Sequence, residues 1–180
     1  RRSVFVYGRY RKLDQDLPQT RAPWRCRECD RDGCDACDQT GLRYPKSVED
    51  LIGGPIAIGF GVEPRLTQLH GMGREDIDVR CLGQGRPFVL EVKSPILRTA
   101  NLEALAKGVE DAAAGRVELP SGLRMVAPEV VARVKGWVAG KVYLATCEPV
   151  GDEPFETARI AALDDRLTDT ELAQRTPERV

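Results

Sequence analysis

The sequence predicts an α+β fold, mainly an antiparallel sheet with covering helices, and three observations lead there. Two alternating runs, residues 76–81 and 88–93, flank a Gly83-Gln84-Gly85 step and read as a β-hairpin. Leu102, Leu105, Ala106, Val109 and Ala113 fall at the three-and-four spacing of an amphipathic helix over 101–114. The chain has 180 residues, 42% hydrophobic and 31% charged, enough for one domain with a core, or one domain and a small appendage.

Taken in order, residues 4–7 (Val-Phe-Val-Tyr) read as a short strand. A Pro-, Arg- and Cys-rich stretch without periodicity follows to Tyr44, so residues 1–45 form a basic leading segment with a cysteine knuckle. Residues 46–180 carry the remaining elements. Ser47 with Asp50 three positions on is a capping-box start for a short helix ending at Gly53-Gly54. Residues 55–60 read as a small apolar strand, and the hairpin comes next. Gly115 stops the 101–114 helix, 129–137 is a second helix, 141–147 is β-rich, and the acidic end is a helix with a loose terminus. There are no internal repeats.

Net charge is only −1, but its distribution is uneven. Residues 1–27 hold eight Lys/Arg against two Asp, and residues 148–180 hold nine Asp/Glu against four Arg. A basic head interleaved with Tyr7, Tyr10 and Trp24 is either a surface for phosphates and bases or a solvated loop region. No apolar run approaches the roughly 20 residues of a membrane span, and no signal-peptide pattern opens the chain. A cytoplasmic protein with no membrane contact is expected. The missing initial Met and the abrupt stop at Val180 read as a piece of a larger protein.

Cys26-x-x-Cys29 and Cys34-x-x-Cys37 are two knuckles four residues apart. Each brings two thiolates to one ion, and together they complete a tetrahedral shell with no open position, which predicts structural zinc. A redox dithiol is the other chemistry such knuckles carry. The one histidine, His70, is far from them in sequence and reads as a surface or packing residue. Cys81 and Cys147 read as small core residues.

Period-two alternation would place Asp78 and Arg80 on one hairpin face with Glu91 and Lys93 opposite. Three readings follow. Asp78, Glu91 and Lys93 match the Asp…Glu-x-Lys pattern of a metal-dependent nuclease, in which two carboxylates hold a divalent ion and the lysine steadies the attacking water. The same charges also fit a salt-bridged face in a non-catalytic, zinc-containing RNA-binding module. In the third reading Asp76, on a Gly-flanked loop beside Arg74, is a positioned carboxylate for catalysis by an acidic side chain.

The run from Gly73-Arg74-Glu75-Asp76 through Gly85-Arg86-Pro87-Phe88 resembles the active-site segment of the archaeal and eukaryotic tRNA pseudouridine synthases of the tenth family. Gly8-Arg9-Tyr10-Arg11-Lys12-Leu13, Pro18-Gln19-Thr20 with Trp24, Ser47-Val48-Glu49-Asp50-Leu51-Ile52, Lys141-Val142-Tyr143-Leu144-Ala145 and Gln174-Arg175-Thr176-Pro177 are similar to that family in the same order. The resemblance implies a partial pseudouridine synthase catalytic domain and isomerisation of the adjacent TΨC-loop uridines (tRNA positions 54 and 55). It implies Asp76 as the catalytic residue and no catalytic cofactor. It implies substrate contacts from Arg74 and Tyr143, with Arg80 and Arg86 beside them. The partner is the TΨC arm of tRNA, with no obligate protein partner, and Cys knuckles of this kind occur in the archaeal branch. Family members carry an RNA-binding domain before this region and further strands after it, so the chain alone is expected to be inactive and to leave strand edges unpaired near its C-terminal end.

Overall fold

The computed structural model describes residues 2–146, 148 and 156–171. They fall into two compact units, Arg1–Val138 and Ala139–Val180.

The first unit is a five-stranded sheet with helices on both faces. Strand β1 (Val4–Lys12) lies at its centre, longer than the sequence suggested because it pairs along almost its whole length. The other strands are β2 (Thr67–Gly71), β3 (Cys81–Val92), β4 (Val117–Glu118) and β5 (Leu123–Val126). Their order is β2-β3-β1-β4, with β5 also on β1, and every pairing is antiparallel. Alternation divides the core between the two faces. Val6, Tyr10, Phe88 and Leu90 point to one face, where they pack with Ile52, Ile56 and Phe60 of helix α1 (Val48–Gly59) and its C-cap, and with Val109 of helix α2 (Leu102–Ala113). Tyr7 and Val89 point to the other face and meet Val134 of helix α3 (Glu129–Gly136).

The expected helix starts are present. Ser47 Oγ accepts from the Asp50 amide at 3.1 Å, and Asp50 Oδ2 accepts from the Ser47 amide at 3.2 Å. Asn101 Oδ1 caps α2 by accepting from the Ala104 amide at 3.1 Å.

Two expectations are corrected. Residues 55–60 are not a strand: α1 runs through Gly53-Gly54 and Pro55 to Gly59. Gly53 serves close packing rather than a stop, since a Cβ there would lie 2.5 Å from Thr67 Oγ1 on β2. Ile52 and Ile56, four apart, carry one buried helical stripe across the proline.

The hairpin expected over residues 76–93 does not form either. Residues 73–80 contain no strand, and β3 passes through Gly83–Gly85 without turning back. Register explains the glycines. Tyr10 pairs with Arg86 and Lys12 with Cys81, so β3 carries extra residues as a bulge, with Gly83 and Gly85 at φ 62° and 74°. A Cβ on Gly85 would sit 2.8 Å from the Tyr10 carbonyl. The true partners of β3 are β1, distant in sequence, and β2, the strand just before it.

In the second unit, residues 141–146 form no strand, which corrects the β-rich reading there, and Cys147 lies outside the described residues. The acidic segment contains helix α4 (Thr157–Leu167), and its expected loose end, 172–180, also lies outside them. Among the described residues no helix is long and apolar enough to cross a membrane.

Candidate active site and metal centre

Loop 73–80 joins β2 to β3, and β1 grips it from inside the protein. Lys12 is fully buried and uses its ammonium three times, donating to the carbonyls of Asp76 (2.9 Å), Ile77 (2.8 Å) and Leu17 (3.0 Å). Gln15 Nε2 adds a bond to the Asp78 carbonyl at 2.9 Å. Burial holds the Lys12 amine below its usual range, and the nearby Glu75 carboxylate acts against that shift.

The side chain of Glu75 points inward and is the hub of this network. Tyr10 Oη donates to it at 2.8 Å, Gln19 Nε2 at 3.1 Å, and the Arg86 Nε lies 2.7 Å from Oε2. That last contact is charge attraction, since the N–H is not aimed along a hydrogen bond. Arg86 also donates to the Met72 carbonyl and Gln19 to the Gly73 carbonyl. Burial and the Glu75 carboxylate push the Tyr10 phenol well above its ordinary value, so it stays a donor. Outside the loop, Arg9 and Arg11 clamp the bulge through the Gln84, Gly85 and Gly83 carbonyls.

The outcome is a loop whose carbonyls are bound and whose acid is presented outward. Asp76 is exposed, as are Arg74, Asp78 and Arg80. Among the described residues no ion pair joins either arginine to either aspartate. The side chain of Arg86 is only 12% exposed and faces Glu75. Tyr143 belongs to the second unit, where it is exposed.

The residues Asp78, Glu91 and Lys93 do not converge. Asp78 is at the Gln15 end of the sheet, whereas Glu91 pairs with Phe5 and bonds Ser3 Oγ at 2.8 Å. At about 3.3 Å per residue, the stretch of β1 from Phe5 to Lys12 alone separates them by roughly 20 Å. Lys93 instead donates to Gln68. His70 packs as expected, 8% exposed with Nε2 3.2 Å from Glu91. The nuclease geometry is absent.

The four cysteines do meet. The four sulfurs lie within 4.8 Å of one another, with Cys26–Cys34 at 3.9 Å and Cys29–Cys37 and Cys34–Cys37 at 3.7 Å. A tetrahedral ion with Zn–S bonds of 2.3 Å needs sulfur–sulfur edges of about 3.8 Å, so the residues fit it. The amides of Cys34 and Gly41 donate to Cys37 Sγ at 3.3 and 3.2 Å. Burial opposes ionisation of Cys37, but those amides outweigh it and bring the thiol to about 6. Burial and the neighbouring sulfurs push Cys29 up to about 12. Four thiolates this close would repel one another, and a bound cation offsets that repulsion. A short ladder closes the knuckle: the Cys26 amide donates to Gly41 and the Arg43 amide to Trp24.

Comparison with known proteins decides the family. The family model described as Pus10, C-terminal, matches residues 5–180. The chain belongs to the Pus10 C-terminal family. Curated relatives of this Pus10-family chain named tRNA pseudouridine synthase Pus10 include one from Methanothrix thermoacetophila, 41% identical over 98% of this chain and 39% of the relative. Another, from Methanothermobacter marburgensis, is 50% identical over 64% of this chain and 28% of the relative. A third, from Halorubrum lacusprofundi, is 40% identical over 99% of this chain and 42% of the relative. The chain thus spans well under half of each of these three relatives. The Pus10 match takes in the cysteine knuckle, the Asp76 loop and the second unit alike.

The sequence singled out Asp76 and the four cysteines, assigned no roles to Lys12, Gln15, Gln19 or Glu75, and offered Tyr7 and Tyr10 as a surface for phosphates and bases, whereas both are buried. The available signal was the polar side chains at inward positions 10 and 12 of β1, where a core strand ordinarily places apolar ones.

Proposed function

We propose that the intact protein containing this chain is a tRNA pseudouridine synthase acting on adjacent TΨC-loop uridines, with Asp76 as its catalytic carboxylate. One observation carries the reading: in a Pus10-family chain, Asp76 is exposed on a loop whose carbonyls are gripped by buried Lys12. The reaction breaks the C1′–N1 bond, turns the uracil and joins C5 to C1′. The proton lost from C5 is balanced by the one N1 gains, so the product is an isomer and no redox partner is needed. Asp76 acts at the sugar. The reacting uridine leaves its stack for a pocket, at a cost of a few kcal/mol that contacts to the base and phosphates offset. Arg74 and Arg80 supply phosphate contacts, and Tyr143 packs on the uracil. Arg86 serves the substrate through the loop, by holding Glu75.

The Cys26, Cys29, Cys34 and Cys37 set holds a zinc ion with a structural role, since four protein ligands leave no open position. Incubating the intact protein with unmodified tRNA transcript and mapping pseudouridine tests the reading. Product at positions 54 or 55 is expected, and its absence from the TΨC loop sinks the proposal.

A further inference from the structure

The short ladder that closes the cysteine knuckle also builds an exposed aromatic surface. Arg43 and Trp24 are joined across it, the Arg43 amide donating to the Trp24 carbonyl at 2.8 Å. The Trp24 and Tyr44 rings lie 5.7 Å apart at 56°. The Arg43 guanidinium sits 5.9 Å from the first centroid and 5.1 Å from the second. Trp24 nevertheless remains 51% exposed, an unusual place for the largest aromatic side chain unless a partner covers it.

Beside the Tyr44 ring lies a cavity of about 340 Å³, lined among others by Asp16, Asp38, Arg43, Tyr44, Lys46 and Arg116. Among the described residues neither Arg43 nor Lys46 is in an ion pair. The lining mixes acceptors and donors. Asp16 and Asp38 offer acceptors and Arg43, Lys46 and Arg116 offer donors, and the edge of a nucleobase, which presents both, meets this lining directly. Stacking on an aromatic ring is the accompanying contact for an unpaired base.

Position ties this surface to the reaction. Asp16 lines the cavity, and its neighbour Gln15 donates to the Asp78 carbonyl in the catalytic loop. The cavity wall and the loop are thus joined within two residues, on one rigid segment that also contains Leu17, bound by Lys12.

We propose that Trp24, Tyr44 and the adjoining cavity form a second RNA contact that takes an unpaired base other than the reacting uridine. The inference rests on the RNA-substrate reading above and adds a place that reads RNA shape at a distance from the chemistry. The knuckle's metal then has a task, namely holding this platform stiff.

The test uses the intact protein and unmodified tRNA transcript, with tRNA affinity and pseudouridine formation measured separately. Stacking on one base gives a loss of about tenfold in affinity for Trp24→Ala. That loss should enter through KM with kcat at saturating tRNA unchanged, at wild-type melting temperature. Trp24→Phe, which can still stack, restores most of the affinity, and Arg43→Gln, which removes the guanidinium beside both rings, weakens binding several-fold. Affinity within twofold of wild type in Trp24→Ala overturns the proposal, as does an equal loss in Trp24→Phe. Failure of the two readings is distinguishable. If the wild type forms no pseudouridine while Trp24→Ala still loses tRNA affinity, the activity reading falls and the platform stands. If pseudouridine forms and affinity is unchanged in the variant, the platform alone falls.

Discussion

Glu75 is 7% exposed while its neighbour Asp76 is exposed, although the two differ by one methylene. Opposite orientation on a bound loop separates their roles. Asp76→Asn removes the proposed reacting carboxylate while leaving the backbone grip of Lys12 intact. Pseudouridine formation should be lost with tRNA affinity largely kept, and full turnover in that variant would move the role elsewhere. Glu75→Gln acts differently. It leaves the buried Arg86 guanidinium without its counter-charge and should destabilise the fold by about 3 kcal/mol, read from denaturant unfolding. Hydrogen exchange in residues 73–78 should rise at the same time. An unchanged midpoint would remove Glu75 from its place as the anchor. Nothing in the local sequence distinguishes these two acids. What distinguishes them is the inward rank of Tyr10 and Lys12, which a single strand reading of residues 4–7 stopped short of.

Among the elements, the cysteine knuckle was the most legible, because its geometry is almost wholly local. Two Cys-x-x-Cys pairs within twelve residues bring four sulfurs together with little help from the rest of the chain. One zinc per chain is expected on metal analysis of protein purified without chelator. Cys26→Ser with Cys34→Ser should lose it and raise hydrogen exchange across residues 20–45. Wild-type protein that folds normally and carries no metal would refute the structural role. The hairpin reading went the other way. Gly83-Gln84-Gly85 carries the positive φ angles of a turn, but β1 was available to pair on both sides of it, so the chain bulged instead of reversing. Gly53-Gly54 misled in the same manner: a signal for a helix stop proved to be room for Thr67.

For the whole molecule, the chain spans 39% of the Methanothrix thermoacetophila relative. The pocket for a flipped uridine needs contacts on both sides of the base and along the phosphates. If the proposed site residues Arg74 and Asp76 form one wall of that pocket, residues 1–180 by themselves should bind tRNA weakly, with affinity falling steeply as salt rises, and should not isomerise uridine. Filter binding across a salt series together with pseudouridine mapping checks both. Turnover near that of the intact protein would show that this chain already holds the second wall.

By itself the sequence determined the features whose causes lie within a few residues. These are the capping box at Ser47, the α2 stripe, the four-thiolate spacing and, through family resemblance, the segment around Asp76. Tertiary structure decided the rest. Tyr10 reaches Glu75 across 65 residues and Lys12 reaches Asp76 across 64, and those bonds turn one carboxylate inward and leave the next exposed. The strand Thr67–Gly71, with little apolar alternation of its own, is held by its antiparallel pairing with β3. A local pattern records only the propensity of its own segment. Which carbonyl a buried lysine will hold, and which strand a glycine-rich run will pair with, depends on side chains brought in from elsewhere in the chain.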